Sequence, residues 1–430
     1  MQRNLINGDA NSFISRKNDK VIFLFIGLAL WFISPILGVF ALLYFVHLNK
    51  KENSRLNLLI ILVVVITLTV FVSSVDIISD LAVYVDNYEM LGKETPFEVS
   101  GGGGFEFVMW LLSYPIYLFS GGSRYAFVFF WSLTINLATF FVIVKAFSPK
   151  NYALLALFIV STPNFIGYQA FLLRQYIATV IFLIALIFID KKVWMWGLYL
   201  LSILTHIGNI LYLPILLLYK KVKILESKVT VFFIVLFGIT AAFSTSIIFD
   251  LSSFIAKFLP SPYSSIILIK TYRYGRQQVQ SEDLGIAFVE QVIVFLIIIF
   301  LVNNKVVKNP QEKVLKFLYP IFLAIMLMGR NIFLFSNRFA FIFFPFGGLF
   351  YYFIIEHKLK IFKKEIIIYL LLAKIAYFIY FMNIMNDGKT VLTFMHGNTL
   401  GSNLFDYIEI VYDGFTEDVK IKELPDRIII

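Results

Sequence analysis

Residues 171–190 read FLLRQYIATVIFLIALIFID, and residues 191–219 read KKVWMWGLYLLSILTHIGNILYLPILLLY. The first segment is an apolar run with Arg174 near its beginning, and the second is an apolar run with His206 at its middle. Lysines flank the second run on both sides, and lysine clusters favour the cytoplasmic side of a membrane. Both ends can lie inside only if the run turns back on itself. We therefore predict a re-entrant hairpin with its turn at Thr205–Asn209.

The predicted hairpin is too short to cross a membrane. Each arm would be about 20 Å long as a helix, whereas the hydrocarbon core of a bilayer is about 30 Å thick. The turn would therefore lie at or below the outer interface, in a cavity inside the protein. Ionisable groups at such depth are costly and usually mark a substrate or ion path. Arg174 and His206 are accordingly the first candidate site residues.

The composition predicts an all-α polytopic membrane protein, with about 11–13 transmembrane or re-entrant helices. The chain is 60% hydrophobic and only 15% charged, which a soluble core of this length could not accommodate. It has no cysteine, so neither disulfides nor thiolate metal sites are available. The net charge of +10 comes from short loops between apolar runs, which is a topology signal. We therefore expect membrane lipids, and no nucleic acid, as partners.

We divide the chain into a polar tail (1–20), a polytopic domain (21–385) and an acidic tail (386–430). The run 21–47 has basic residues on both sides and Pro35 at its centre, so it is either one long tilted span or two short arms bent at Pro35. We expect the acidic tail on the outer side of the membrane, because basic residues are enriched on the cytoplasmic side. Other predicted elements of the polytopic domain include spans at 56–78 and 124–147, an interfacial helix at 105–118, and a helix at 152–173 that is broken around Pro163.

Six arginines lie on the outer side of this topology, although the positive-inside bias predicts depletion there. The planar guanidinium binds phosphate oxygens in a bidentate manner and stays charged when partly desolvated. The simplest reason for the excess is an anionic substrate held at the outer face, and a lipid-linked sugar diphosphate fits best. These residues are Arg124, Arg174, Arg273, Arg276, Arg330 and Arg338.

Several short motifs occur along the chain: LLRQYIA (172–178), LTHIGNILYLPILLL (204–218), GFEFVMWLL (104–112) with the preceding Asp80 and Tyr84, and Asn337–Phe339. Together they resemble the EpsG-type Wzy polymerases, which extend O-antigen, capsule or exopolysaccharide chains. The resemblance covers roughly residues 35–385.

The resemblance implies a helical fold of the C-type glycosyltransferases. It implies transfer of a growing glycan from undecaprenyl diphosphate to a second lipid-linked oligosaccharide repeat unit, without a cofactor. The location would be the bacterial inner (cytoplasmic) membrane, with the active site facing the periplasm or cell exterior. A Wzz-like chain-length regulator and a flippase are further partners that it implies, and lipopolysaccharide is one possible destination of the product.

The leaving diphosphate would be stabilised by arginines as the glycosidic bond breaks. The acceptor hydroxyl needs a base, for which Glu106, His206 and Asp80 are all candidates. The outer acids are not paired at ligand spacing and no second histidine is near His206, so we expect no metal. The predicted substrate-binding residues are Arg174, Gln175, Arg273, Arg276, Arg338, Arg330, Arg124, Tyr84 and Tyr263.

Other interpretations remain open. A flippase or transporter of the same lipid-linked glycans usually carries an internal repeat, and a second copy of the arginine–hairpin block is not evident. A membrane glycan acyltransferase would need a histidine on the acyl-donor side, and a scaffold would not need six outer arginines. Individually, Arg174 could be an interfacial anchor, His206 a helix-end residue, and Glu106 and Asp80 solvated loop acids.

Overall fold

The computed structural model describes residues 20–49, 54–100, 106–147, 151–218, 310–328, 342–356, 364–384, 401–417 and 419–420, with scattered residues between 232 and 297. These parts of the chain are helical and contain no β-strand, which confirms the all-α prediction. The chain divides into two compact units. The first comprises 1–187, 193–207 and 364–430, and the second comprises 188–192 and 208–363.

The helices of the first unit are α1 (Lys20–Ile33), α2 (Pro35–Asn49), α3 (Ser54–Ser73), α4 (Ser79–Met90), α5 (Pro96–Val99), α6 (Val108–Ser120), α7 (Arg124–Val142, continued by a π-turn Ile143–Phe147), α8 (Tyr152–Val160), α9 (Pro163–Phe171), α10 (Leu173–Ile187), α11 (Lys192–Thr205), α16 (Lys364–Ile384) and α17 (Leu404–Thr416). Those of the second unit are α12 (Leu213–Leu218), α13 (Pro310–Met328), α14 (Phe343–Phe346) and α15 (Tyr352–Glu356).

Three of the described helices are long and apolar enough to cross a membrane, namely Arg55–Ser73, Arg124–Lys145 and Glu365–Met382. A nineteen-residue helix such as the first is about 28 Å long, close to the thickness of a hydrocarbon core. The protein is therefore polytopic, as predicted. The figure of 11–13 helices stays a prediction, because most of 219–309 lies outside the described residues.

The N-terminal apolar run forms a helical hairpin, which decides between the two interpretations left open by the sequence. Helix α1 ends at Ile33 and α2 begins at Pro35. A Cβ on Gly38 would lie 2.3 Å from the Cα of Trp31, and one on Gly27 would lie 3.0 Å from Leu42. These pairs run in opposite directions along the two helices, so the arms are antiparallel and their backbones approach closely at glycine.

Hydrogen bonds at three positions along helix α3 show where its neighbouring helices lie relative to its length. Near its beginning Asn57 accepts a hydrogen bond from Asn49 (3.0 Å). Ten residues later, Thr67 accepts one from the indole N–H of Trp31 (2.9 Å). The final residue, Ser73, bonds the hydroxyl of Tyr125 at the beginning of α7 (3.0 Å). The hairpin of α1 and α2 therefore lies alongside about 15 Å of α3, from Asn57 to Thr67. The end of α3 lies next to the beginning of α7.

A buried polar network joins α3, α7 and α9. The amide of Asn136 donates to Thr69 Oγ1 (3.3 Å), and the amide of Gln169 donates to Asn136 Oδ1 (3.2 Å). Gln169 also bonds the carbonyl of Phe165 in its own helix (3.1 Å). Hydrogen bonds between membrane helices fix their mutual rotation and depth. The network thus holds the short helix α9 to two of the membrane-spanning helices.

The second unit has its own buried polar contacts. The hydroxyl of Tyr351 donates to Glu290 (2.8 Å), and the hydroxyl of Tyr352 donates to Glu312. Buried carboxylates need such donors, because an unpaired charge in an apolar interior is costly. These contacts tie α13 and α15 together within the unit.

Candidate functional site

A sharp break between α9 and α10 places Arg174. The two helices meet at Leu172 with an angle of 117° between their axes. The hydroxyl of Tyr176 donates to the carbonyl of Phe165 (3.1 Å), which ties α10 back to α9 across the break. The sequence predicted a broken helix around Pro163, and the structure confirms it, with α8 ending at Val160 and α9 beginning at Pro163. Arg174 therefore lies in the first turn of α10.

The end of α11 places His206. The helix ends at Thr205 and a 3-10 turn follows from Ile207, so the predicted interruption of this apolar run is confirmed. Its direction of return stays a prediction. Ser202 donates to the carbonyl of Ala178 (2.7 Å), which packs α11 against α10. Ala178 lies one turn after Arg174 and Ser202 one turn before His206, so this contact brings the two candidate residues close together.

Glu106 joins Arg174 and His206. Its Oε2 atom lies 2.9 Å from Nη1 of Arg174, and its Oε1 atom lies 3.0 Å from Nδ1 of His206. The backbone N–H of Ile207 donates to the same Oε1 atom (2.9 Å). All three side chains are mostly buried, with 24%, 19% and 13% of Arg174, Glu106 and His206 exposed. Residues far apart in sequence thus form one ionic cluster at the ends of α6, α10 and α11.

The contacts of Glu106 keep it ionised. It lies in the connection before α6, outside the membrane-spanning helices. Burial raises the pKa of its carboxyl, but the contact with His206, the charge of Arg174 and the N–H of Ile207 outweigh burial and lower the pKa to about 2. Glu106 is therefore a carboxylate throughout the physiological pH range.

Arg174 keeps hydrogen-bonding capacity beyond its contact with Glu106. Its Nε atom is buried and has no hydrogen-bond partner among the described residues. The guanidinium carbon lies 5.9 Å from the ring centroid of Tyr84, within the range of a cation–π contact. Trp110 lies beside Tyr84, with ring centroids 6.5 Å apart. The Tyr84 ring thus lies against a guanidinium that can still donate to another acceptor.

Two other predicted residues, Asp80 and Gln175, lie on the same helices as residues described above. Asp80 and Tyr84 are one turn apart on α4 and therefore share a face of that helix. Gln175 follows Arg174 directly, but its side chain is buried inside the first unit. The contacts described above do not assign either residue a role, so both remain predictions.

Arg124 takes part in a different set of contacts. Its Nε atom lies 2.5 Å from Oε1 of Glu89, and its Nη1 donates to the carbonyl of Val419 (2.9 Å). These contacts link α4, α7 and the segment after α17. The remaining predicted substrate-binding residues lie outside the described residues: Tyr263, Arg273, Arg276, Arg330 and Arg338.

Sequence reasoning missed the N–H of Ile207, which shares the Glu106 carboxylate with His206. A backbone donor gives no signal in a sequence. It also missed Asn136 and Gln169, which hold the broken helix. These two residues could have been singled out from the sequence, because polar residues in apolar helices usually serve packing or function. Within the described part of the chain, no three histidine or carboxylate side chains converge as metal ligands would.

The fold and the cluster define a helical, polytopic membrane protein with an ionic Arg–Glu–His site at three helix ends. The chain belongs to the EpsG family, whose family model matches residues 61–396. The match contains all three residues of the cluster and the motifs quoted above. It begins later than the predicted residue 35 and ends somewhat beyond residue 385, so α1, α2 and α17 lie outside it.

Membership of this family indicates a membrane protein with a polysaccharide polymerase-like, glycosyltransferase-like function. Neither a curated protein nor a solved structure matches the chain significantly.

Proposed function

We propose that this protein joins oligosaccharide repeat units carried on undecaprenyl diphosphate at the outer face of the inner (cytoplasmic) membrane. Arg174 binds the diphosphate, and His206 accepts the proton of the attacking hydroxyl. The observation that carries the proposal is the Arg174–Glu106–His206 cluster, in which Nε of Arg174 still has no acceptor among the described residues. An anion-binding group and a base lie on either side of one carboxylate.

Arg174 suits a diphosphate for two reasons. Its fork of N–H donors matches phosphate oxygens and stays charged in a partly desolvated site. It also lies in the first turn of α10, where the helix dipole favours an anion. The charge on the leaving diphosphate grows as the glycosidic bond breaks, so these contacts strengthen in the transition state.

His206 is the best of the three candidate bases. Glu106 has a pKa of about 2 and is therefore a poor proton acceptor at neutral pH. In a neutral imidazole that carries its proton on Nδ1, beside Glu106, Nε2 is the basic atom and can take a proton from the acceptor hydroxyl. Glu106 then acts by holding the ring in this tautomer, and Asp80 remains the second candidate base.

The proposed reaction is a single displacement. The acceptor hydroxyl oxygen bonds to the anomeric carbon of the donor sugar, and the bond from that carbon to the diphosphate oxygen breaks. The electron pair of the broken bond stays on undecaprenyl diphosphate, and the hydroxyl proton moves to Nε2 of His206. Positive charge from Arg174 supplies the electrostatic stabilisation, so the proposal needs no metal ion.

We assign Gln175 and Tyr84 further contacts to the diphosphate or sugar. Tyr263, Arg273, Arg276, Arg330 and Arg338, which lie outside the described residues, stay predicted substrate-binding residues. The chain-length regulator and the flippase stay expected partners of the same process.

The decisive test uses purified protein in liposomes with a synthetic undecaprenyl-diphosphate repeat unit, analysed by gel for lengthened glycans. We expect a ladder for the natural chain and for the control Arg55→Ala, at an exposed position at the beginning of α3. Arg174→Ala should abolish the ladder, and a chelator should leave it intact. Movement of the labelled lipid across the bilayer without any ladder would contradict the proposal and indicate a flippase.

A further inference from the structure

Helix α17 has three distinct faces. Tyr407, Ile410 and Gly414 are buried against the bundle and lie within an arc of about 60° around the helix. A second arc of about 60° is acidic and contains Asp406, Glu409 and Asp413. A third arc of about 80° is apolar and contains Phe405, Ile408, Tyr412 and Phe415.

The third face is apolar and largely exposed, although Phe405 and Phe415 at its two ends also contact rings of the bundle. Phe405, Ile408, Tyr412 and Phe415 are 64%, 57%, 67% and 44% exposed. A contiguous exposed stripe of large apolar residues marks an interaction surface. Since the opposite face already packs on the protein, the stripe needs a different partner.

The position of α17 along the membrane normal can be read from its contacts. A Cβ on Gly414 would lie 2.5 Å from the Tyr125 ring, so the helix backbone lies directly on this side chain. Tyr125 in turn bonds Ser73, the last residue of α3. Both α3 and α7 are long and apolar enough to span a membrane, and this is where one ends and the other begins. Helix α17 therefore lies at a membrane–water boundary.

The exposed stripe continues the apolar outer surface of the bundle. The ring of Phe405 packs edge-to-face on Phe32 of α1, with centroids 5.5 Å apart. The neighbouring Trp31 bonds Thr67, six residues before the end of α3 and about 9 Å below it. Helix α1 exposes large apolar side chains along its length, as a helix in contact with lipid does. The first turn of α17 thus reaches the depth of acyl chains.

We propose that α17 is an interfacial helix that lies obliquely at the membrane surface, with its first turn deeper than its last. Its stripe of Phe405, Ile408, Tyr412 and Phe415 enters the acyl region of the lipid leaflet, and its acidic arc faces water. Such helices insert their apolar face about 5–10 Å into the headgroup–acyl boundary. The contact of Arg124 with Val419 fastens the segment after the helix to the beginning of α7.

The proposal goes beyond the polymerase activity and concerns a segment outside the family match. It can be tested cleanly because the natural chain has no cysteine. Single spin labels at Ile408→Cys and at the neighbouring Glu409→Cys, in the full protein in liposomes, report accessibility to oxygen and to a water-soluble nickel chelate. A second matched pair, Tyr412→Cys and Asp413→Cys, repeats the comparison and covers the failure of one variant to fold.

We expect the oxygen-to-nickel accessibility ratio to be severalfold higher at 408 and 412 than at 409 and 413. Equal ratios within each pair would place the stripe in water and overturn the proposal. Low accessibility to both reagents at 408 and 412, with spin–spin broadening, would overturn it as well, because it would mean that a second copy of the chain covers the stripe.

Discussion

Nη1 of Arg174 lies 2.9 Å from Oε2 of Glu106, so the cation assigned to the substrate has an anionic partner within the protein. This pair keeps a mostly buried charge compensated before substrate arrives. A diphosphate that binds Arg174 must compete with Glu106. The carboxylate then remains available to His206 and to the N–H of Ile207, which both contact its other oxygen.

The first prediction concerns the shape of the Arg174 side chain. Arg174→Lys keeps the charge but loses the planar fork and the Nε donor, so it should lower kcat/KM roughly ten- to hundredfold, which corresponds to about 1.5–3 kcal/mol. The ladder assay with varied substrate measures this change. Arg55→Lys is the matched control and should leave kcat/KM unchanged. Near-natural activity of Arg174→Lys would indicate that the residue is a membrane anchor.

The second prediction separates His206 from Glu106. His206→Gln removes the proposed base and should lower kcat by a factor of about 10²–10⁴ with little change in KM. Glu106→Gln removes the competitor for Arg174 and the acceptor for the imidazole, so it should lower kcat and also lower KM. Steady-state kinetics on the lipid-linked unit distinguish the two patterns. If His206→Gln retained full kcat, Asp80 would become the leading candidate for the base.

The third prediction is the pH dependence of stability. The pKa of Glu106 is about 2 in the folded protein, against an ordinary value of 4.5. Because the folded pKa is lowered, the stabilisation by this carboxylate is fully present above pH 4.5 and is lost as the pH falls towards 2. Thermal unfolding of the detergent-solubilised protein, followed by tryptophan fluorescence, should show a Tm difference from Glu106→Gln that does not shrink between pH 8 and 5. That difference should shrink below pH 4.5, and a shrinkage already at pH 6 would contradict the assignment.

The fourth prediction concerns the N-terminal hairpin. A Cβ on Gly38 would lie 2.3 Å from the backbone of Trp31, so Gly38→Ala must push α1 and α2 apart, at a cost of about 1–3 kcal/mol. Gly197 in α11 is the control, because nothing lies within 4 Å of a Cβ placed there. Gly197→Ala should leave Tm unchanged or raise it slightly, since alanine favours a helix interior by about 0.5–1 kcal/mol. Equal Tm values for both variants would mean that the arms are not in contact.

The sequence predicted features that have a local cause. Pro163 ends one helix and begins another, and His206 lies at the interruption of a run flanked by lysines. A polar residue in a long apolar run is similarly visible, so Arg174 was recognised from its surroundings alone. These signals need only a few neighbouring residues, which is why they were sufficient for the helix breaks and for the class of fold.

Features that depend on contacts between residues far apart in the sequence could not be predicted from it. The alternatives for the run around Pro35 differed only in whether Gly38 meets Trp31, which is a tertiary contact. Glu106 was equally plausible as a base and as a solvated loop acid, and only its contacts with Arg174 and His206 show that it is a buried, ionised partner of both. Arg124 was grouped with the substrate arginines by its side of the membrane, whereas its contacts are with Glu89 and Val419.

The bond from Arg124 to Val419 spans 295 positions of the chain, and this separation affects biosynthesis. At about 5–20 residues per second, a ribosome needs roughly 15–60 s to reach Val419 after it has made Arg124. During that interval α3 and α7 can already be inserted, with their surface around Tyr125 in contact with lipid or water. Helix α17 therefore docks onto a surface that is already assembled, and its docking is a late step in the maturation of the protein.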